Sequence, residues 1–469
     1  MVTRYTKKLA TTLLLLCGSM AGNAAVQINE VMPCNLSTTM NTDNYNFSGY
    51  VEFSSDQQEN LRGYTLVHFK KGSKKYSEKW TWDIDKDIML TAGGYTMVWF
   101  DEGDNSNHSP YKLDADGGYL LLKKGGTVVD SLAFGKQTAH ISYGRFGTSE
   151  GYMEPSPGAA NTTAYANLSR CQVPKFSEKG GLKSGNVSLT LSCETAGATI
   201  RYTTDGSEPT AQSQAYNSPI VFNSNTNIRA KAFANGMLPS AIATSSYIYN
   251  DNDHNECGGF TVPVVSITVD DRYFNDNQIG MMVQGTNGKR SEKNCVGSFG
   301  NANYNNDWQR PVNFEYFENG EQVVSQELEA TVEGGCSRTY TVKSISLKAS
   351  KKTGADLVDY HLFKMKPDLY HQTIYLRNGG QGADEGMSMW GGGMFGPGQQ
   401  WGPGQNDPGQ QNQKTDKVKF RDALMQAFGT NMNIDYQAYQ PVAYYINGEY
   451  MGMMALMERT IYNIKCIIF

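Results

Sequence analysis

The sequence has no strong charge of either sign. Across 469 residues, 41 Lys and Arg stand against 46 Asp and Glu, a formal net charge of −5. A nucleic-acid binder would carry a basic face or tail, so that class is disfavoured. No apolar run reaches the roughly 18 residues that a membrane-spanning helix needs. None of the 8 cysteines forms a C-x-x-C pair, so neither a zinc site nor a thioredoxin-type motif finds support. A Walker spacing is missing, and the Gly-rich stretch 379–413 does not place a G-x-G-x-x-G between strands. What remains is 39% hydrophobic and 11% aromatic, enough to bury cores, with 49 Gly and 28 Tyr. Gly-punctuated, Tyr-rich sequence favours β-sheet with many turns. At roughly 150 residues per domain the length fits about three domains.

The first residues read as an export signal. Arg4, Lys7 and Lys8 precede a short apolar run from Leu9 to Cys17, and Gly22 and Ala24 supply the small residues before a cleavage site after Ala24. The signal peptide therefore spans 1–24 and the protein is expected to be secreted or held at the cell surface. Cys34, Cys171, Cys193, Cys257, Cys295, Cys336 and Cys466 remain after cleavage. Export permits disulfides, and sequence alone leaves open whether these are bridges or buried thiols.

Residues 26–160 alternate at period two in short runs: 26–31, 50–53, 61–69, 94–100, 118–122 and 127–134. Gly, Asp and Asn separate them, as in a β-sandwich. Ile28-Asn29-Glu30-Val31, Leu61-Arg62-Gly63-Tyr64, Leu90-Thr91-Ala92-Gly93-Gly94, Val129-Asp130-Ser131-Leu132, Ser142-Tyr143-Gly144-Arg145 and Ser156-Pro157-Gly158-Ala159-Ala160-Asn161 occur in order. In this the segment resembles a lamin-tail domain, which implies an accessory module. Glu30 and Glu52 read as structural polar residues at strand ends.

Residues 174–249 form a second β unit. Ile200-Arg201-Tyr202-Thr203-Thr204-Asp205-Gly206-Ser207-Glu208-Pro209-Thr210 contains a strong hairpin-turn signal at Asp205-Gly206. Together with Ile228 to Phe233 and Ser240, it resembles the small β-sandwich appended to chitobiases and β-hexosaminidases. That module is not their hydrolase domain, and no paired catalytic carboxylates are found. Carbohydrate binding by 174–249 stays open as a minor reading. Residues 250–258 form an acidic linker. Asp251, Asp253 and Asn255 alternate as calcium ligands do, but the glycine and distal glutamate of an EF-hand loop are missing.

Beyond it, strands are expected at 263–269, 310–317, 322–332, 373–378, 442–446 and 450–456, with turns at Asn319-Gly320 and Asn447-Gly448 and a helix around Phe420, Leu424, Ala427 and Phe428. The pieces Val262-Pro263-Val264-Val265-Ser266-Ile267, Gly334-Gly335-Cys336-Ser337-Arg338, Lys343-Ser344, Leu376-Arg377-Asn378-Gly379-Gly380, Phe420-Arg421-Asp422-Ala423-Leu424 and Tyr445 to Gly452 with Glu458-Arg459 run in order. By these, residues 259–469 resemble the CotH (spore-coat protein H-like) family of secreted atypical kinases. The resemblance implies ATP binding with Mg²⁺ and phosphoryl transfer to an exported or cell-surface protein. It assigns Lys343 to the phosphates, lets Arg338 assist, and gives Glu458 the task of orienting Lys343. Arg377, Arg421 and Asp422 match positions of unclear role. The family's metal-binding aspartates lie downstream of the position matching Glu458, and the sequence stops eleven residues after it. That suggests an incomplete kinase-like region with no metal ligands and little or no activity.

Residues 379–413 are Gly, Gln, Pro, Met and Trp with a near-repeat, Phe395-Gly396-Pro397-Gly398-Gln399 and Trp401-Gly402-Pro403-Gly404-Gln405. Such a stretch cannot bury enough surface to offset its ordering entropy, so a disordered insertion is expected. The expected fold is multidomain and mainly β: two β-sandwich modules followed by an incomplete α+β kinase-like region. The expected function is ATP-dependent protein phosphorylation when full length. The alternative is a non-catalytic binding or surface-attachment protein, with a protein or carbohydrate partner and a kinase-like remnant.

Overall fold

Period-two alternation becomes strand almost wherever the sequence carries it. A computed structural model describes residues 26–71, 76–165, 168–249, 262–291, 300–366, 370–379, 426–429 and 436–459. The signal segment, the acidic linker, the insertion beyond Gly379, Arg421, Asp422, the tail 461–469, and Cys257, Cys295 and Cys466 lie outside the described residues. The helix expected around 420–428 is described only at 426–429, where the backbone is helical. The chain divides into two units, Met1–Asn41 with Phe47–Leu168, and Thr42–Asn46 with Ser169–Phe469.

The first unit is a sandwich of two antiparallel-based sheets. Its strands are β1 (Val26–Met32), β2 (Gly49–Ser55), β3 (Tyr64–Lys71), β4 (Tyr76–Asp83), β5 (Tyr95–Phe100), β6 (Gly118–Lys124), β7 (Thr127–Phe134), β8 (Ser142–Phe146) and β9 (Ser149–Met153). One sheet runs β9-β8-β1-β2-β5 with the short His108–Ser109 strand at its edge, and the other runs β7-β6-β3-β4. Ile28, Phe53, Leu66, Trp80, Val98, Leu120 and Leu132 pack between them.

Glu30 and Glu52 are not at strand ends. They lie mid-strand, directly opposite one another on β1 and β2, and both are fully buried. They serve as acceptors for the segment that closes the module. Ser156 N and Oγ each reach Glu30 Oε2 at 3.1 Å, and Gly158 N reaches Glu52 Oε2 at 2.5 Å. Tyr50 Oη donates to Glu30 and Asn29 Nδ2 to Glu52. The Ser156-to-Asn161 string read in the sequence is thus the clasp on two buried carboxylates. Burial raises both above the usual carboxylate range, Glu52 to about 7.

The second unit contains β10 (Gly181–Lys183), β11 (Thr199–Thr203), β12 (Gln214–Ala215), β13 (Thr226–Phe233), β14 (Ala243–Tyr249), β15 (Val264–Thr268), β16 (Arg310–Glu318), β17 (Glu321–Glu333), β18 (Ser344–Lys348), β19 (Thr373–Arg377), β20 (Tyr439–Ile446) and β21 (Glu449–Glu458). One continuous sheet runs β12-β11-β13-β14-β10-β17-β16-β15-β20-β21-β19-β18, and β18 returns to pair with β17. The last seven strands therefore close into a ring, a small barrel joined through β10 to the small sandwich. Asn319-Gly320 and Asn447-Gly448 both hold positive φ at both residues, the type I′ geometry that their sequence signals. A short helix, α1 (Asp271–Asn275), follows β15 and is N-capped by Asp270.

Asp205-Gly206 does not make a two-residue hairpin. β11 instead pairs with β12 across a longer loop. Asp205 Oδ1 accepts from Ser207 N at 3.0 Å and from Ser207 Oγ at 2.6 Å, a local turn that competes with the hairpin. Only Gly206 takes positive φ, and a Cβ there would lie 2.1 Å from Val269 O. The turn is a docking point against the end of β15.

β15 and β16 are buried on both faces. One side of this sheet packs Val264, Phe317, Ala443 and Tyr445 against Ile248 and Leu182 of the sandwich. Beside that apolar contact lies Glu315, wholly buried. Its carboxylate accepts from Ser246 N at 2.8 Å, from Ser246 Oγ, and from Gln322 Nε2. Asn227 Nδ2 donates to Ser246 Oγ at 2.9 Å and to Thr268 Oγ1 at 2.6 Å, and Arg229 Nη2 reaches Glu327 at 3.3 Å. Burial pushes Glu315 up to about 7.

Glu52 and Glu315 keep protons in the folded chain that the unfolded chain releases near its ordinary carboxylate pKa. Stability therefore falls as pH rises from about 4.5 to about 7, by up to roughly 3 kcal/mol per group. Thermal unfolding should give higher midpoints at pH 5 than at pH 7.5. E52Q should flatten this dependence in the first unit's transition and E315Q in the second's. A midpoint that rises with pH across this window would refute the assignment. Gly206→Ala is expected to lower the second unit's midpoint by several degrees, because it adds both φ strain and a backbone clash.

Candidate functional site

The pieces Gly334 to Arg338, Lys343-Ser344 and Asn378-Gly379 are far apart in sequence, and the barrel brings them to one end. Cys336–Thr339 form a 3₁₀ turn after β17, and Lys343 immediately precedes β18. Ser344 Oγ meets Asn378 Oδ1 and accepts from Asn378 N, both at 3.0 Å, while Asn378 Nδ2 donates to Val342 O at 2.8 Å. The end of β19 is thereby tied to the start of β18, and Lys343 sits at that junction.

Lys343 is 7% exposed. Its Nζ donates to Tyr340 O at 2.7 Å and lies 4.7 Å from the centre of the Tyr304 ring. Among the described residues no carboxylate pairs with it. Burial without a counter-charge lowers its pKa to about 8, so it is still mostly a cation at pH 7. Arg338 is also buried. Nε donates to Gly334 O at 3.0 Å, Nη1 to Tyr304 O at 3.1 Å, and Nη2 to Asp307 Oδ1 at 3.2 Å. Lys289 Nζ approaches the other Asp307 oxygen at 3.6 Å. Tyr304 links the two buried cations, its ring under Lys343 and its carbonyl on Arg338. The result is a pre-set cationic corner with one exposed carboxylate at its rim, suited to an anion with several oxygens.

Glu458 does not face Lys343. It closes β21 opposite Ile374, at the start of β19, whereas Lys343 lies beyond the other end of that strand. The separation along β19 from Ile374 to Asn378 is about 13 Å at 3.3 Å per residue. Glu458 instead accepts from Lys366 Nζ and, at 2.8 Å, from Ala438 N. Lys366 lies 4.8 Å from the Tyr436 ring centre. Lys366 was invisible in the sequence because it stands in an irregular connection with no motif around it. Tyr304, Asp307 and Lys289 were missed for the same reason. Arg377 lies within β19, half-buried.

Two family models match. Residues 178–244 match the chitobiase/beta-hexosaminidase C-terminal domain, and residues 402–462 match the CotH kinase protein. The chain therefore contains a chitobiase-C-terminal-like domain and a partial CotH-kinase-like domain. The second match takes in β20, β21 and Glu458, and Lys343 and Arg338 precede it. Neither match covers residues 26–160. No curated protein matches the chain. Among solved structures, the crystal structure of murine CEACAM1b aligns over 42% of this chain and 94% of that one, at 10% identity and a TM-score of 0.13.

Among the described residues no three His, Cys, Asp or Glu side chains gather to hold a metal ion. The described residues offer no carboxylate set for Mg²⁺. No helix of the described residues is long and apolar enough to cross a membrane.

The Lys366–Glu458 pair is buried on both sides, so removal of one partner strands the other. K366M is expected to cost roughly 3–5 kcal/mol. Denaturant unfolding would measure this, and a loss under about 1 kcal/mol would show that the pair does not hold this end of the barrel.

Proposed function

We propose that this is an exported protein whose barrel binds the phosphates of a nucleotide at Lys343 and Arg338, as part of a CotH-like kinase region acting on another exported or surface protein. The observation that supports the reading best is Lys343: a buried ammonium with no carboxylate partner among the described residues, beside a second buried cation. A lysine so placed keeps a high electrostatic potential for an incoming anion. The chitobiase-like sandwich and the lamin-tail-like module 26–160 then act as accessory modules that hold or present the kinase-like part. Glu458 contributes through the fold, by its bond to Lys366, and not by orienting Lys343.

A second reading is favoured by one specific observation. Lys343 Nζ already has Tyr340 O and the Tyr304 ring as partners, so it also satisfies the requirements of a structural cation. In that case the protein is a surface-attachment or binding protein whose kinase-like part is a remnant, with a protein or a carbohydrate partner.

Calorimetry with ATP and Mg²⁺ on the whole chain separates the two. The nucleotide reading expects saturable binding, at least tenfold weaker in K343A and weakened in R338A. A folded wild-type protein with no detectable binding would overturn it and leave the attachment reading.

A further inference from the structure

Arg338 is a fixed donor whose outward face is already taken. Two of its nitrogens are tied to main-chain carbonyls, Gly334 O at 3.0 Å and Tyr304 O at 3.1 Å. The guanidinium plane cannot turn without losing one of them. Nη2 is left to meet Asp307 at 3.2 Å, and Lys289 Nζ stands 3.6 Å from the second oxygen of the same carboxylate. The Asp307 side chain is 69% exposed, against 9% for Arg338. Its backbone is held in place, since Asn306 and Trp308 on either side are buried. Asp307 thus has a fixed root and a side chain free to rotate into solvent. A carboxylate between two cations offers a negative charge on two oxygens, as one edge of a phosphate does.

We propose that Asp307 is an internal anion that occupies part of the phosphate site and sets its selectivity. This rests on the phosphate reading of the Lys343–Arg338 corner. An incoming ligand displaces the carboxylate and is repelled by it while it remains near. A singly or doubly charged phosphate gains little over the carboxylate already there. A polyphosphate reaches Lys343, Arg338 and Lys289 together and displaces it. Asp307 therefore selects the polyphosphate class over monophosphates, without contacting the ligand itself.

The test uses the whole chain titrated with inorganic tripolyphosphate and, separately, orthophosphate. The wild type should bind tripolyphosphate and bind orthophosphate far more weakly. D307N should tighten tripolyphosphate binding roughly fivefold, the scale of an exposed ion pair plus the removed repulsion. It should also narrow the gap between the two ligands. D307E restores the charge and should return both affinities toward wild type. D307S serves if D307N melts early. Unchanged or weaker binding by D307N, with wild-type binding present and lost in K343A, would overturn this inference and leave the phosphate site standing. Absence of tripolyphosphate binding in both folded wild type and D307N would overturn both.

Discussion

A carboxyl group sealed from solvent, Glu315, dictates how the second unit is put together. It lies on β16 of the barrel, yet its hydrogen bonds come from Ser246 on β14 of the sandwich and from Gln322 on β17. An ion or a protonated acid in that position needs every one of these donors. The sandwich therefore cannot slide along the barrel without stripping them away. The apolar cluster of Ile248, Val264, Phe317 and Tyr445 supplies contact area, but area tolerates small shifts. The polar seam of Asn227, Ser246, Ser266 and Thr268 around Glu315 does not, because hydrogen bonds have directions. Gly206 adds a steric limit, with Val269 O filling the space its side chain would need.

Closure of the ring has a second consequence. A closed sheet leaves no exposed edge among its own strands and fixes which side chains share an end. β18 pairs with β17 on one side and with β19 on the other. The start of β18 and the end of β19 must then meet, and Lys343, Ser344 and Asn378 meet with them. The opposite end of β19 carries Glu458 and Lys366. These two charged groups stand at opposite ends of β19, held apart by the length of that strand. One end is an ion pair neutralised from within, and the other is a cationic corner with the exposed carboxylate of Asp307 at its rim.

Most of the strands were legible because burial on one face leaves period-two alternation. Thr127–Phe134 was read at its full length, and the Asn-Gly turns at 319 and 447 were read with their geometry. Failures came where a side chain competed with the backbone rule. Asp205 bonds to Ser207 and turns an apparent hairpin into a docking loop. Glu30 and Glu52 looked like strand-end residues because buried carboxylates are rare, and their partners lie more than a hundred residues away at Ser156 and Gly158. Ring closure left no local mark, since β17 is an ordinary alternating strand that has two partners at its far end.

The site shows the same division between local and distant information. Lys343 and Arg338 were singled out through the resemblance of the residues around them. Periodicity alone would have left both as solvated strand and turn residues. Both are buried instead, Lys343 against the Tyr304 ring and Tyr340 O and Arg338 against Gly334 O and Tyr304 O. Glu458 was found the same way, but the role carried with it failed on geometry. A residue transferred by motif keeps its strand and register, while the partner it meets depends on which strands the sheet places beside it. Here β19 stands between β18 and β21, and that single intervening strand is enough to give Glu458 a different lysine.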